Sequence, residues 1–437
     1  MILHSTNGKS DKVPLQQGTA PGLAPDGGLY MPDRFPRLPQ AFFNNLTGMS
    51  LQEIAFVITT TLFGDIIDAP TLKKTVYESL HFEIPLTNVH DDFFLLELFH
   101  GPTQSFKDIG ARFMARLLPL MAPLENEYRD IIVATSGDSG GAVANGFRDT
   151  PRTRVIILFP NGELSSEQIS RFVSEKNVLP IEVNGTFDDC QDMVKKAILS
   201  EIDTPSGHNI VSGNSINLLR QLPSIIYYFH AYARAMEQRP GQEVVISVPC
   251  GNLGNLSAAL MAKKMGLPAK RFIAANNAND VFVEYLKTGD FHPKEALITI
   301  ARAMDVGNPS NLARIIDLYD GDMEQIRADV EGMSVDDHSI RETMRKLADS
   351  YGVITDPHTA SAFAALEKKL KPGETGIALA SAHPAKSGEV VSDVTGRKIQ
   401  SPQSEAQPTD LRDARIVKIP PTLSALHRAM LIENHNK

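Results

Sequence analysis

Five short aliphatic runs recur along this chain, set in a rhythm of strand-like run, loop with Gly or Ser, and amphipathic helical pattern. They are Ile131-Ile132-Val133-Ala134, Val155-Ile156-Ile157-Leu158, Val244-Val245-Ile246-Ser247-Val248, Phe272-Ile273-Ala274 and Ile377-Ala378-Leu379. A strand with one wet face alternates apolar and polar residues, whereas a continuous run has no polar face and must be covered on both sides. Repeated with helices between, such runs specify parallel sheets covered by helices, so the expected fold class is α/β. At 437 residues the chain exceeds what one core organises, and two or three packed units are expected.

Residues 18–36 are crowded with Gly and Pro, including Gly22-Leu23-Ala24-Pro25-Asp26-Gly27-Gly28, a stretch that must turn sharply and cannot be helix. From Leu51 to about Leu80, apolar residues such as Ile54, Val57, Ile58 and Leu62 recur at helical spacing. The two stretches read as a small N-terminal unit. Near the other end, Ser401 to Pro408 reads as a solvated connector, and Thr422 to Leu431 as an amphipathic segment that docks back on the body.

Charge and cysteine usage exclude several classes. A net charge of -9, without a run of clustered Lys and Arg, argues against a nucleic-acid partner. An anionic small molecule stays allowed, because only the local field in a cleft matters to it. Cys190 and Cys250 are the only cysteines, too few for a disulfide framework and not paired as zinc ligands. The histidines show no ligand spacing, so no catalytic metal is expected. No basic-then-apolar leader opens the sequence, and no apolar stretch approaches the ~20 residues of a membrane span. The expected location is cytoplasmic, with no membrane partner.

Four loops could carry chemistry. In His100-Gly101-Pro102-Thr103-Gln104-Ser105-Phe106-Lys107-Asp108, a lysine stands where a strand-like run, Phe93 to Phe99, meets a helix. The helix has Phe106, Ile109, Phe113, Met114, Leu117 and Leu118 on one stripe, and Thr103 is its expected N-cap. A lysine beside an apolar face, at the positive end of a helix, has its charged form disfavoured, as a Schiff-base lysine requires. A surface lysine lying along Phe106 is the plainer reading of that position alone. The second loop, Thr135 to Gly141, combines hydroxyls with free amides at a helix start, which suits a carboxylate or phosphate; a plain glycine turn capped by Ser139 is the alternative. Its Gly137-Asp138-Ser139-Gly140-Gly141 matches the nucleophile motif of chymotrypsin-like proteases, but the strand-then-helix surroundings are wrong for an all-β double barrel.

The third loop, Cys250-Gly251-Asn252-Leu253-Gly254-Asn255-Leu256, follows the strongest strand and precedes a helix expected over Ser257 to Lys264. Two glycines three apart let the backbone approach a ligand, and the next helix offers amides to a phosphate. The pattern is neither GxGxxG nor a Walker loop, so a single phosphate fits better than a dinucleotide or nucleoside triphosphate. Cys250 reads as a small buried residue. The fourth loop, Ala380 to Lys386, ends a strand where ligands of open α/β sheets collect, and Ser381 there is either a hydroxyl partner for a ring nitrogen or a turn residue.

Taken in order, GLAPDGGLYMP (22–32), LELFHGPTQSFKD (96–108), ATSGDSGGA (134–142), NSIN (214–217), VPCGNLGN (248–255), AMDVGNPSN (303–311), DPHTA (356–360) and SAHPAK (381–386) resemble the threonine synthase family over nearly the whole chain. That family is a branch of the fold-type II pyridoxal-phosphate enzymes, alongside tryptophan synthase β and serine dehydratases. The resemblance implies a two-lobed, tryptophan synthase β-like α/β fold with parallel sheets and a small N-terminal domain. It divides the chain into an N-terminal domain over 1–85 and a catalytic region over 86–437, with a smaller lobe over roughly 126–220 and a C-terminal helical segment.

The resemblance also assigns roles. Lys107 carries pyridoxal 5'-phosphate as a Schiff base; Gly251, Asn252, Leu253, Gly254 and Asn255 cradle its phosphate; Asp138 stands near the ring hydroxyl and Ser381 near the pyridine nitrogen. The implied substrate is O-phospho-L-homoserine, with Ser215, Arg220 and the adjacent Asn214 on its phosphate and the Ser136 to Ser139 loop on its carboxylate. The implied reaction is γ-elimination of phosphate followed by β-addition of water, giving L-threonine. Ser139 stands where the family usually has Thr, and Ser387 where an aromatic residue is common, changes of the size that tune selectivity. A phospho-lyase releasing 2-oxobutyrate and a catalytically silent cofactor-binding relative are the other functions weighed. The assembly expected is a monomer or homodimer.

Overall fold

The aliphatic runs form the inner strands of two separate parallel sheets. The computed structural model describes residues 1–123, 127–173, 175–200, 207–400, 402 and 415–432. A small antiparallel sheet, in the order β2-β1-β3, opens the chain with β1 (Ile2–Ser5), β2 (Val13–Pro14) and β3 (Tyr30–Pro32). The hairpin of β4 (Leu86–His90) and β5 (Phe93–Glu97) then begins the large sheet. A second lobe follows with β6 (Tyr128–Ala134), β7 (Thr153–Pro160), β8 (Val178–Val183) and β9 (His208–Ser212). The chain then returns to the large sheet with β10 (Glu243–Pro249), β11 (Arg271–Asn276), β12 (Val330–Ser334) and β13 (Glu374–Ala380), and ends with β14 (Val417–Ile419).

The large sheet is ordered β12-β11-β10-β13-β5-β4 and is parallel except for the edge hairpin. The smaller sheet, β14-β8-β7-β6-β9, is parallel throughout. Every residue of β7 and β13 is buried, as continuous apolar runs demand when helices cover both faces. The α/β expectation is therefore met.

The helix Lys107–Met121 turns Ile109, Phe113, Met114, Leu117 and Leu118 fully inward, into a core shared with the N-terminal helices. Its start differs from expectation. Phe106 holds the N-cap position, and Thr103 is not the cap: its amide and Oγ1 donate to Asp108, at 2.9 and 2.6 Å. Gly110 in this helix allows an unusually close crossing, since a Cβ there would stand 2.3 Å from the carbonyl oxygen of Arg220. That contact seats Arg220 beside Lys107.

Other boundaries also move. The helical stretch after Leu51 is two helices, Leu51–Phe63 and Ala69–Ser79, and a one-turn helix, Leu15–Thr19, runs into the Gly-rich segment. The helix after the third loop starts at Gly254 rather than Ser257. The connector expected at Ser401 to Pro408 lies outside the described residues, Pro402 excepted. The segment beyond it docks as expected: Leu423–Met430 is a helix capped by Thr422, with Leu426 and Met430 fully buried against the smaller sheet.

Candidate active site

Parallel strands deliver their C-terminal ends to one edge of a sheet, and the loops that follow share the crevice there. Lys107 follows β5, Ser136, Asp138 and Ser139 follow β6, and Asn214, Ser215 and Arg220 follow β9. The stretch Gly251 to Asn255 follows β10, and Ser381 follows β13 directly. All of these residues line one cavity of about 530 Å³. Residues more than 270 positions apart in the chain thus meet in a single site.

Lys107 is mostly withdrawn from solvent, its side chain 19% exposed, with Nζ 3.7 Å from Asp138 Oδ2. Burial depresses its pKa; Asp138 opposes this, while the charges of Lys386 and Arg220 add to it. Asp138 has a closer partner in Lys386, whose Nζ lies 2.7 Å from Oδ1 and also donates to the Thr103 carbonyl at 2.8 Å. Burial alone would raise the Asp138 carboxyl, yet Lys386 first and Lys107 second hold it well below the usual carboxylate range. The carboxylate is therefore matched chiefly by Lys386. Lys107 is left as an amine that gives up its proton more readily than an exposed lysine, as a nucleophilic amine requires.

His358 also lines the cavity and was given no role by sequence reasoning. Its Nδ1 faces Asp356, while Nε2 accepts the Ala303 amide at 3.2 Å. Burial disfavours its charge, and Asp356 together with Asp138 raises its pKa in spite of that. A second ring proton would nevertheless have to displace the Ala303 amide. Both Lys386 and His358 sit inside motif strings already noted, SAHPAK and DPHTA. Nothing in their spacing reveals that both converge on Asp138.

Two further loops are braced by their own polar groups. Thr135 Oγ1 accepts the amides of Gly137 and Gly140, both at 2.9 Å, which curls the second loop around its hydroxyl. Asn214 exchanges hydrogen bonds with the Ala134 backbone, at 2.8 and 3.0 Å, so its amide is already engaged at the rim. Ser215 Oγ accepts from Asn311 at 3.1 Å. Arg220 is buried, donating to the Lys107 carbonyl at 2.9 Å; burial brings its pKa down to about 10, with Asp108 opposing.

The third loop has the form of a phosphate cradle. A Cβ on Gly251 would lie 2.8 Å from Met304 Cα, so only glycine fits between that backbone and the cavity. Leu253 takes a left-handed turn, φ 57°, and the helix Gly254–Lys264 starts beyond it without a side-chain cap. Its first amides are thus left for a ligand. Asn255 Oδ1 accepts the hydroxyls of Tyr227 and Tyr228, at 2.5 and 2.6 Å, while its buried Nδ2 has no partner among the described residues. An unmet buried donor beside uncapped amides and a buried amine fits a phosphorylated aldehyde such as pyridoxal phosphate.

Residues 80–381 match the family profile described as pyridoxal-phosphate dependent enzyme, and residues 3–80 match threonine synthase N terminus. The threonine synthase of Escherichia coli strain K12 is 37% identical over 437 residues, covering 100% of both chains. The crystal structure of the Escherichia coli enzyme aligns with a TM-score of 0.91 at 36% identity, over 98% of this chain and 99% of that one. A pyridoxal-phosphate-bound threonine synthase from Brucella melitensis aligns at 0.88 with 29% identity, covering 98% of each chain. Profile, full-length identity and superposed fold agree, and the chain belongs to the threonine synthase family of pyridoxal-phosphate-dependent enzymes.

Proposed function

We propose that this protein converts O-phospho-L-homoserine and water to L-threonine and inorganic phosphate. The observation that carries the proposal is the meeting, in one cavity, of a buried amine, a glycine-lined phosphate cradle and a separate Arg- and Ser-bearing wall. A cofactor phosphate and a substrate phosphate need two such places.

In this reading Lys107 would hold the cofactor through Nζ, Gly251 to Asn255 would hold its phosphate, and Asp138 and Ser381 would hold its ring. When bound, pyridoxal phosphate supplies an electron sink that stabilises negative charge developing on the attached amino acid. The chain supplies the rest. Ser136 and Ser139, at the start of the helix Asp138–Gly146, bind the substrate carboxylate. Arg220 and Ser215, with Asn214 bracing the rim, bind and orient the phosphate at the far end. Lys107 Nζ would take the Cα proton and then move a proton at Cβ as phosphate leaves Cγ. Burial lowers the pKa of this amine, which eases loss of its proton and so its action as a base. Enclosure between the lobes keeps bulk water from the reacting carbons until one water adds at Cβ.

We further propose the division into an N-terminal domain over 1–85 and a two-lobed catalytic region over 86–437, with the smaller lobe over roughly 126–220. Among the described residues no helix is long and apolar enough to cross a membrane. A cytoplasmic monomer or homodimer without a nucleic-acid partner is the setting we propose. The test is to incubate the protein with pyridoxal phosphate and O-phospho-L-homoserine and to assay threonine, 2-oxobutyrate and phosphate together. Threonine equal to phosphate is the expected result. Oxobutyrate in place of threonine would make the protein a phospho-lyase, and no phosphate release would leave only a cofactor-binding fold.

A further inference from the structure

The loop Gly251 to Asn255 offers a phosphate two glycines, two asparagines and a leucine, with no cation among them. A phosphate monoester with a second pKa near ~6 carries close to two negative charges at neutral pH. The cationic side chains that line the cavity have other settings: Arg220, which donates to the Lys107 carbonyl, belongs to the wall proposed for the substrate phosphate, Lys107 faces Asp138, and Arg302 lies at an exposed position. A different cation stands behind the loop. Arg314, in the helix Leu312–Leu318, is 0% exposed, and among the described residues no carboxylate is in ion-pair contact with it.

Its hydrogen bonds go to Ser215, which lines the cavity, and to Ile216 and Asn311 next to that wall. Nη1 donates to Asn311 Oδ1 and to the Ser215 carbonyl, each at 2.6 Å, and Nη2 donates to the Ile216 carbonyl at 2.6 Å. Asn311 passes the polarisation on, because its Nδ2 donates to the Asn252 carbonyl at 2.9 Å and to Ser215 Oγ at 3.1 Å. The Asn252 carbonyl belongs to the same peptide unit as the Leu253 amide, so pulling charge toward that oxygen makes the amide a stronger donor within the loop. The Ser310 amide grips the same residue by Asn252 Oδ1, at 2.5 Å.

Burying a guanidinium without a carboxylate is costly and calls for a compensating charge. Burial lowers the pKa of Arg314 to about 9 despite the opposing field of Asp317, so the group stays charged at neutral pH. Asp317 is itself bound to His4 Nε2, at 2.8 Å. The Nε of Arg314 has no partner among the described residues. We propose that Arg314 is the counter-charge of the cofactor-phosphate cradle, acting on the phosphate through Asn311 and the Asn252–Leu253 peptide. It is a positioning residue that touches neither substrate nor cofactor. The inference rests on reading Gly251 to Asn255 as the phosphate cradle.

The experiment compares equilibrium capture of pyridoxal phosphate with that of pyridoxal, which lacks the phosphate, by the full chain stripped of cofactor. Borohydride trapping on Lys107 reports the bound fraction. In Arg314→Met, affinity for pyridoxal phosphate should fall by about tenfold or more, the scale of a charge interaction across a few solvent-poor contacts, with pyridoxal capture unchanged. Arg314→Lys should keep most of the preference. An equal loss for both aldehydes, or an unaltered ratio, would overturn the proposal, since a merely structural role does not distinguish them. Should the methionine variant not fold, Asp317→Asn decides: removing the opposing acid should increase the preference for the phosphorylated aldehyde, and an unchanged or smaller preference refutes the inference. Wild-type protein that captured both aldehydes alike would instead overturn the cradle reading itself.

Discussion

Replacing Gly251 with alanine places one methyl group 2.8 Å from Met304 Cα and 3.0 Å from the Ala303 carbonyl oxygen. Both are backbone atoms of the short turn Arg302–Met304, so no rotamer change can relieve the contact. The φ of Gly251 is not in the left-handed region, so the cost is steric rather than conformational. Gly254, its counterpart in the loop, is different. The three atoms nearest to a Cβ there all belong to side chains, Ser215 Oγ at 3.3 Å and Asn311 Nδ2 and Gln221 Oε1 at 3.4 Å, and alanine is the better helix former at that helical position. Overpacking of the first kind costs about 1–3 kcal/mol. If that strain falls on the cradle, pyridoxal phosphate should bind roughly five- to 150-fold more weakly to Gly251→Ala. Gly254→Ala should lose less than about tenfold. Titrating the cofactor-free variants with pyridoxal phosphate, followed by absorbance, measures both. Equal losses, or a larger loss at Gly254, would refute the argument, because the motif alone treats the two glycines alike and only the structure ranks them.

Lys386→Met should hand the Asp138 carboxylate to Lys107, stabilising the ammonium. The pH at which the cofactor-free protein begins to capture pyridoxal phosphate should then move upward, and an unchanged or lower midpoint would sink this reading. His230 is buried, with Nε2 on the Ile84 carbonyl at 2.8 Å, and burial lowers its pKa to about 4 from the ordinary 6.5. Between those values the unfolded chain binds the proton and the folded one does not, so this contribution to stability is complete above pH 6.5 and lost as the pH falls toward 4. The loss comes to about 3 kcal/mol. Urea unfolding at pH 7.5 and 4.5 should show it in the wild type and show less of it in His230→Gln; equal pH slopes would contradict the assignment.

What the sequence made legible follows burial closely. The strands β6, β7, β10, β11 and β13 lie inside their sheets, and their unbroken aliphatic runs announce it. The strands that escaped notice are edges or next to edges. β9 reads His-Asn-Ile-Val-Ser and β12 reads Val-Glu-Gly-Met-Ser, half-exposed patterns that do not stand out from loop sequence. β8 contains Pro180, which cannot donate to a ladder and so argues against an interior strand. It is tolerated because β14 pairs only with Ile181 to Val183 and leaves Pro180 unopposed on that side. The site divides in a similar way. Residues that face the cavity from strand ends sit in recognisable loops. Lys386 and Arg314 act on those residues from behind, through partners remote in sequence, and no local pattern encodes such a partnership.

The pairing of β14 with β8 makes the smaller sheet a product of two widely separated parts of the chain. During synthesis β6 to β9 emerge long before the segment that covers their outer edge. Until that segment arrives, β8 presents open amides and carbonyls along a flank that also lacks the apolar cover of Leu426 and Met430. The intervening time is filled by four of the six strands of the large sheet, β10 to β13. A nascent chain therefore carries a finished large lobe beside an unfinished small one, and that interval is where chaperone demand and strand-to-strand aggregation would concentrate.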